Sequence, residues 1–327
     1  LRTEIRGLDQ AIDNSERASS VIATTEGYLA EAADLLNSIK SLIVEASNSG
    51  GLSREEIEAN QLQIDSAIDS ITRISNTANF AGLQLLNGTL DYLTSGVPTS
   101  AIAGTSVFSA QFGNNSSLAV AVEVVSSAQT GTLFLSGNTA GSPGALLSSV
   151  TIEVAGNIGV QSLSFVSGTA LSAVVAAVNT ITESTGVSAA LVSATDQTSG
   201  LVFHSTEYGQ DEFVSVRKIG RGGDFFALHD EKNGNETERD EGRDVTAVVN
   251  GALAAGDGLE IQLKNPNLDL ELILTTDFGQ TTGVAKEFQI TGGGANFQLG
   301  PSVTTTQQQG FGVQSIAASR LGGTSVD

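Results

Sequence analysis

The chain has 327 residues, a formal net charge of −21 from 36 acidic and 15 basic side chains, 37 glycines, and no Cys, Met or Trp. That length holds roughly two or three domains, the acidic balance leaves no electrostatic footprint for nucleic acid or anionic lipid, and the lack of cysteine excludes disulfides, thiolate metal sites and thiol nucleophiles. No apolar run is long enough to span a membrane, and Leu1 starts in mid-pattern, as an excised fragment would.

From Leu1 to Ala46 the apolar residues include Leu1, Ile5, Leu8, Ile12, Ala18, Val21, Ile22, Leu29, Ala32, Leu36, Ile39, Ile43 and Ala46, with Arg6, Asp9, Asp13, Glu16, Glu31 and Asp34 off the stripe. This is helical spacing without a proline, and so long a narrow stripe calls for partner helices. Asn48-Ser49-Gly50-Gly51 supplies a stop, and Ser53-Arg54-Glu55-Glu56 reads as a capping box that starts a second helix near Arg54. Its seam runs Ile57, Ile64, Ile71 and Ala78 at seven-residue spacing, with Ala67 and Ile74 between. The two helices are expected to form an antiparallel hairpin.

Around Thr77 the character changes. Phe80, Leu83, Leu85 and Leu86 precede the turn dipeptide Asn87-Gly88, and short alternations follow. Strands are predicted at residues 118–124, 132–135, 150–154, 201–204 and 213–216, with one helix carrying Leu171, Val174, Val175, Val178 and Ile181 and ending near Gly186. A hairpin follows, in which Leu259, Ile261 and Leu263 alternate, Asn265-Pro266-Asn267 turns, and Leu268, Leu270, Leu272 and Leu274 alternate again. Val150–Gly156 and Val245–Gly251 share V-T-x-x-V-x-G, either a duplicated strand-turn unit or ordinary β composition. The fold class is therefore mixed: an α-helical coiled-coil rod as core domain, with an inserted β-rich α+β outer domain.

Little catalytic chemistry is visible. His204 and His229 are the only imidazoles, neither in a metal-binding spacing, and a lone strand histidine such as His204 is usually structural even with Glu207 nearby. No nucleophile elbow or phosphate loop occurs. The charge run from His229 to Asp244 lacks the ligand spacing of an EF-hand and reads as a solvated loop. Sequons at Asn87, Asn114, Asn115 and Asn235 are short enough to arise by chance. The reading is not an enzyme, with no cofactor and no metal.

Three separated segments carry a family resemblance: residues 1–18, Thr25-Glu-Gly-Tyr-Leu-Ala-Glu31, and Arg73-Ile-Ser-Asn-Thr-Ala-Asn-Phe-Ala-Gly-Leu-Gln-Leu-Leu-Asn-Gly88. Together they resemble the N-terminal core of bacterial flagellin, with Ala81 in place of the family's common Asn. Asn296-Phe-Gln-Leu-Gly300 and Ile316-Ala-Ala-Ser-Arg-Leu-Gly322 look like the return strand that re-enters that core, and Val154–Asn157 and Thr185–Ala189 look like outer-domain segments of some flagellins.

The resemblance implies an extracellular structural subunit of the bacterial flagellum. Such a subunit is exported unfolded, self-assembles into a helical filament for motility, and has the flagellar export and capping machinery as further partners. It places a discontinuous helical core domain at 1–97 plus 293–327 and a surface-exposed outer domain, of one or two subdomains, at 98–292. The family's extreme terminal helices have no counterpart here, so the fragment is expected to stay monomeric, with no nucleic acid and no membrane among its partners.

The core-helix seam and candidate subunit interface are Leu36, Ile39, Leu42, Ile57, Ile64, Ile71, Asn76 and Phe80. Some flagellins are recognised by Toll-like receptor 5 through an Arg and a Leu on the first long helix and a Glu on the second; the matching positions are Ser38, Leu42 and Gln63. Only Leu42 fits, so weak recognition or none is expected. A hook-filament junction protein is the rival within this architecture. A surface adhesin or glycan-binding module is the rival from another class, disfavoured by an aromatic content of 5% without Trp.

Overall fold

The structure, a computed structural model, describes residues 2–46, 53–113, 115–137, 144–220, 223, 225–231, 234–304 and 307–321. The expected stop at Asn48–Gly51 and the sequon residue Asn114 lie outside them. Helix α1 (Arg2–Ala46) and helix α2 (Arg54–Thr77) come first, followed by strands β1 (Asn79–Phe80), β2 (Leu83–Gln84), β3 (Tyr92–Ser95), β4 (Ile102–Ala110), β5 (Leu118–Ser126) and β6 (Thr132–Ser136). Next come β7 (Val150–Gly156), β8 (Val160–Phe165), α3 (Leu171–Thr180), α4 (Thr182–Thr185), β9 (Val187–Ser193), β10 (Asp196–Ser205), β11 (Phe213–Ile219), β12 (Leu228–His229) and β13 (Arg239–Glu241). The chain continues with β14 (Thr246–Val249), β15 (Ala252–Asp257), β16 (Glu260–Lys264), β17 (Leu268–Leu274), α5 (Thr276–Gln280), β18 (Ala285–Gly293), β19 (Ala295–Gln298) and β20 (Gln308–Phe311).

The fold is thus a helical pair followed by a large β-rich region, a mixed α+β chain. It divides into two compact units. The first holds residues 1–121, 262–272 and 286–327, the second residues 122–261 and 273–285.

In the first unit, Ser53 caps α2 as the sequence predicts. Its hydroxyl accepts the Glu56 N–H at 3.3 Å, and its own N–H donates to the Glu56 carboxylate at 2.7 Å. At the far end of α2 the chain closes a cluster of Val21, Ile74, Ala78, Leu85, Leu86 and Leu90, against which Tyr28, Leu35, Phe80, Phe297, Val313 and Ile316 pack. The segment near the C-terminus reaches this base through β19, which pairs antiparallel with β20. The Val313 and Ile316 N–H groups then donate to the carbonyls of Leu90 and Leu86, at 3.0 and 3.1 Å.

In the second unit, four strands run in the order β12-β6-β10-β9 and four others in the order β13-β11-β7-β8. Alternate residues of both sheets, among them Leu133, Leu135, Ile152, Val154, Leu201, Phe203, Val214 and Val216, share one core with Leu171, Val174 and Val178 of α3. The predicted helix is shorter than its apolar spacing: α3 stops at Thr180, Ile181 turns the chain into α4, and Gly186 ends α4 in the left-handed conformation. The first V-T-x-x-V-x-G copy lies wholly within β7, whereas the second covers β14 and the Asn250-Gly251 turn after it. β7 lies between β11 and β8, and β14 lies between β5 and β15.

The charge run from His229 to Asp244 differs from the expected loop. Its first residue, His229, ends β12 and Arg239–Glu241 form β13, where the Asp240 carboxylate accepts the Thr132 N–H at 2.7 Å; beyond β13, Asp244 accepts the Gly258 N–H at 2.9 Å. Arg239 stacks its guanidinium 3.7 Å over the Phe213 ring.

Candidate assembly surface

Helix α1 is about 67 Å long at 1.5 Å per residue, far longer than its partner α2. Its fully buried positions Ala11, Ala18, Thr25 and Ala32 recur every seven residues, with Val21 beside them. These are small side chains, which let a facing helix approach closely. The Thr25 hydroxyl donates to the Val21 carbonyl at 2.8 Å, which leaves it no unmet polar demand. On α2 the buried row is Asn60, Ala67 and Ile74, again every seven residues, flanked by Ile71, Ser75 and Ala78.

A second heptad row on α1 is left uncovered. Leu8, Leu29, Leu36 and Ile43 fall on one seven-residue repeat and are exposed, with Ile22 half-buried in the same row. Ile5, Ile12 and Val44 on α1 and Leu62 and Ile68 on α2 add to the exposed apolar surface. So many large apolar side chains on one helical pair mark a contact surface.

The residues singled out from the sequence distribute accordingly. Ile71 is 1% exposed, and Phe80 packs on the base cluster. Ile39, Leu42 and Ile64 are half-buried, Leu36 and Ile57 are 44% and 37% exposed, and Asn76 is exposed. Ser38 and Gln63 are exposed as well, and the Ser38 hydroxyl donates to the Asp34 carbonyl at 2.9 Å, one turn from Leu42.

Two features escape the apolar pattern. Asn60 occupies the buried row of α2 at 7% exposure, and its Nδ2 has no hydrogen-bond partner among the described residues. Tyr92 packs its ring where a Cβ on Gly294, Gly310 or Gly312 would collide with it, and its hydroxyl accepts the Ala110 N–H at 3.1 Å. The seven-residue spacing 60–67–74 is the one sequence signal that reveals Asn60.

The electrostatics at the ends of the helical pair follow from local partners. Hydrogen bonds from the Ser53 backbone, then its side chain, hold the Glu56 carboxyl below its ordinary pKa. Burial pushes Asp91 above its ordinary value, against the Tyr92 N–H bond and the positive charge of Arg320. Burial likewise raises Tyr92.

Burial also keeps the His204 imidazole below its ordinary pKa, in mid-sheet between Thr132 of β6 and Ser188 of β9. Among the described residues no three His, Asp or Glu side chains converge as metal ligands would. What the geometry presents is a helical surface built for protein contact.

Comparison with known proteins agrees on that part of the chain. The family described as the bacterial flagellin N-terminal helical region matches residues 1–91. A flagellar filament core protein of Treponema maltophilum is 39% identical over 88 residues, which are 27% of this chain and 30% of that protein. Flagellin of Bacillus subtilis is 38% identical over 90 residues, again 27% and 30% of the two chains. The chain thus matches under a third of the length of these relatives. Among solved structures, the D2–D3 domains of the flagellar cap protein FliD from Escherichia coli align with 62% of this chain and 99% of theirs, at 14% identity and a TM-score of 0.40. The α1–α2 pair and the turn that follows it are thus similar to the bacterial flagellin N-terminal helical region.

Proposed function

We propose that this chain is a structural subunit of the bacterial flagellar filament, working outside the cell without catalysis. The observation that carries the reading is the uncovered heptad row of α1, on a helical pair whose sequence matches flagellins. A narrow apolar stripe on a long helix is stable only against another helix. Contacts of that kind that repeat head to tail between copies build an open helical assembly.

In this proposal the helical core comprises residues 1–97 and 293–327, and residues 98–292 form the outer, solvent-facing region. Leu36, Ile39, Leu42, Ile57, Ile64, Ile71, Asn76 and Phe80 line the seam or the base that supports it. Export and capping proteins of the flagellum are its further partners. A formal charge of −21 disfavours broad contact between outer surfaces and so favours association at the apolar rows.

Electron microscopy of the full-length gene product, beside its Leu36→Lys, Ile43→Lys variant, tests the reading. Long filaments are expected from the full-length protein and only monomers or short oligomers from the variant. Filaments of undiminished length from the variant would remove the α1 row from assembly, and a full-length protein that merely caps added filament ends would make it a junction protein instead. Ser38 and Gln63 lack the charges that strengthen a receptor contact, each worth about 1.5–3 kcal/mol. Surface plasmon resonance against Toll-like receptor 5 is therefore expected to show no nanomolar binding.

A further inference from the structure

Strand β8 is the end strand of the sheet β13-β11-β7-β8, and among the described residues no strand pairs with its outer side. The β7–β8 register runs from Val150 opposite Phe165 to Ala155 opposite Val160, and the hairpin is closed by the Gly156 N–H donating to the Gly159 carbonyl at 3.1 Å. Backbone groups in an antiparallel pair face inward and outward alternately. Since Gly159 bonds inward, so do Gln161, Leu163 and Phe165, whereas Val160, Ser162 and Ser164 turn their N–H and C=O groups to the open side.

Natural sheets protect such an edge with charge, proline or a bulge. The opposite edge of this sheet does so, because β13 is Arg239-Asp240-Glu241. β8 carries none of these devices. No charged residue or proline occurs between Glu153 and Glu183, and Ile158 and Val166, which flank the strand, are 64% and 71% exposed. On β7 the charge facing Ser162 is Glu153, which Arg217 pairs at 2.6 Å, and at the β7–β8 turn Glu212 accepts the Asn157 amide at 2.5 Å.

We propose that β8 is a self-association surface, on which β8 of a second copy of this chain pairs antiparallel and joins the two sheets edge to edge. Charge selects a second copy. The chain carries −21 overall, so most surfaces of two copies repel, whereas strand β8 itself contains no charged residue. Symmetry supports the same occupant, since a two-fold axis at Ser162 sets Val160 opposite the partner's Ser164 and brings Ile158 toward the partner's Val166. That isologous contact is self-complementary and covers the exposed apolar residues at both ends. The interface is small, so the affinity is modest. This departs from the monomer expected from the sequence, and it stands independently of the helical seam.

Sedimentation velocity of the purified chain over a concentration series tests the proposal. The wild-type chain is expected to show a reversible monomer–dimer equilibrium. Ser162→Pro removes an outward N–H and leaves the β7 ladder intact, because proline is tolerated where the edge faces solvent; Ser162→Lys places two ammonium groups at the axis. Each is expected to raise the dimer dissociation constant by at least about tenfold with an unchanged circular-dichroism spectrum. Should the proline variant misfold, the lysine variant decides. A wild-type monomer at all concentrations, a dimer that survives both changes, or a dimer lost in Leu36→Lys and kept in the Ser162 variants would each overturn the proposal.

Discussion

The tight turn between β1 and β2 shows how one residue stores strain. Phe80 pairs with Leu83, so Ala81 and Gly82 are the two central residues, with φ of 50° and 86°. Such a pair fits the hairpin turn in which both central residues have positive φ, which favours Asn-Gly. The chain contains its own control: β14 and β15 are joined by Asn250-Gly251, with φ of 49° and 81°. An alanine in the left-handed region costs about 1 kcal/mol or more. Ala81→Asn is therefore expected to stabilise the first unit by roughly 0.5–1 kcal/mol, read as a higher urea midpoint with an unchanged slope. A second residue acts through burial of charge. Asp91 has its pKa raised by desolvation, so its contribution to stability is full below the ordinary aspartate pKa and is lost as pH rises through the folded value. Asp91→Asn keeps an oxygen for the Tyr92 N–H, now bonded at 2.8 Å, and removes the charge. Its melting temperature should exceed wild type at neutral pH and converge with it in acid; an equal gain at both would assign the effect to packing.

At the scale of elements, the α1–α2 pair contains one polar misfit. Asn60 stands in the buried row of α2 with its Nδ2 unpartnered, and an unmet buried donor costs about 1–3 kcal/mol. Asn60→Leu is expected to raise the unfolding free energy of this chain by about 1 kcal/mol, measured in urea; a loss would mean that a partner outside the described residues serves the amide. The helix starts are easier to read from sequence than the helix faces. The Ser53–Glu56 box is a local signal and forms as the sequence predicts. The hairpin of residues 259–274, the strand at Thr132 and the helix at Leu171 were likewise legible, because each shows one clear period and a turn residue at its end. The buried face of α1 was not, because it is built of Ala11, Ala18, Thr25 and Ala32, and a search for large apolar side chains finds the uncovered row instead. β8, β9 and β13 escaped for a related reason: Ser, Ala and charged residues carry them, and long-range pairing rather than local propensity makes them strands. The candidate surface was therefore half visible. Leu36 lies on the exposed row of α1, whereas Ile57, Ile64 and Ile71 share one row of α2 that passes from 37% exposed at Ile57 to buried at Ile71, a gradient that needs the partner helix in place.

Over the whole molecule, charge decides where copies can touch. Between Asp91 and Glu183 the only ionisable acidic or basic residues are Glu123 and Glu153, so nearly all of the −21 charge sits on the helical pair and on the chain after Glu183. At neutral pH this repulsion leaves the β8 edge as the surface where approach costs least, whereas contact at the apolar row of α1 has to outweigh the charge on the helical pair through apolar burial. Acidification removes the repulsion without first removing the helices. Glu56, held below its ordinary pKa by Ser53, contributes stability that is present above the unfolded value and lost only as pH falls through the lower folded value, so the start of α2 outlasts the protonation of ordinary carboxylates. Near the isoelectric point of about 4.3 the chain should therefore be helical and sticky at once. Light scattering is expected to pass through a maximum there and to reverse on return to neutral pH, while the far-UV helical signal stays near its neutral value. If the helical signal collapses before scattering rises, unfolding rather than lost repulsion drives association, and charge is not what confines contacts to these surfaces.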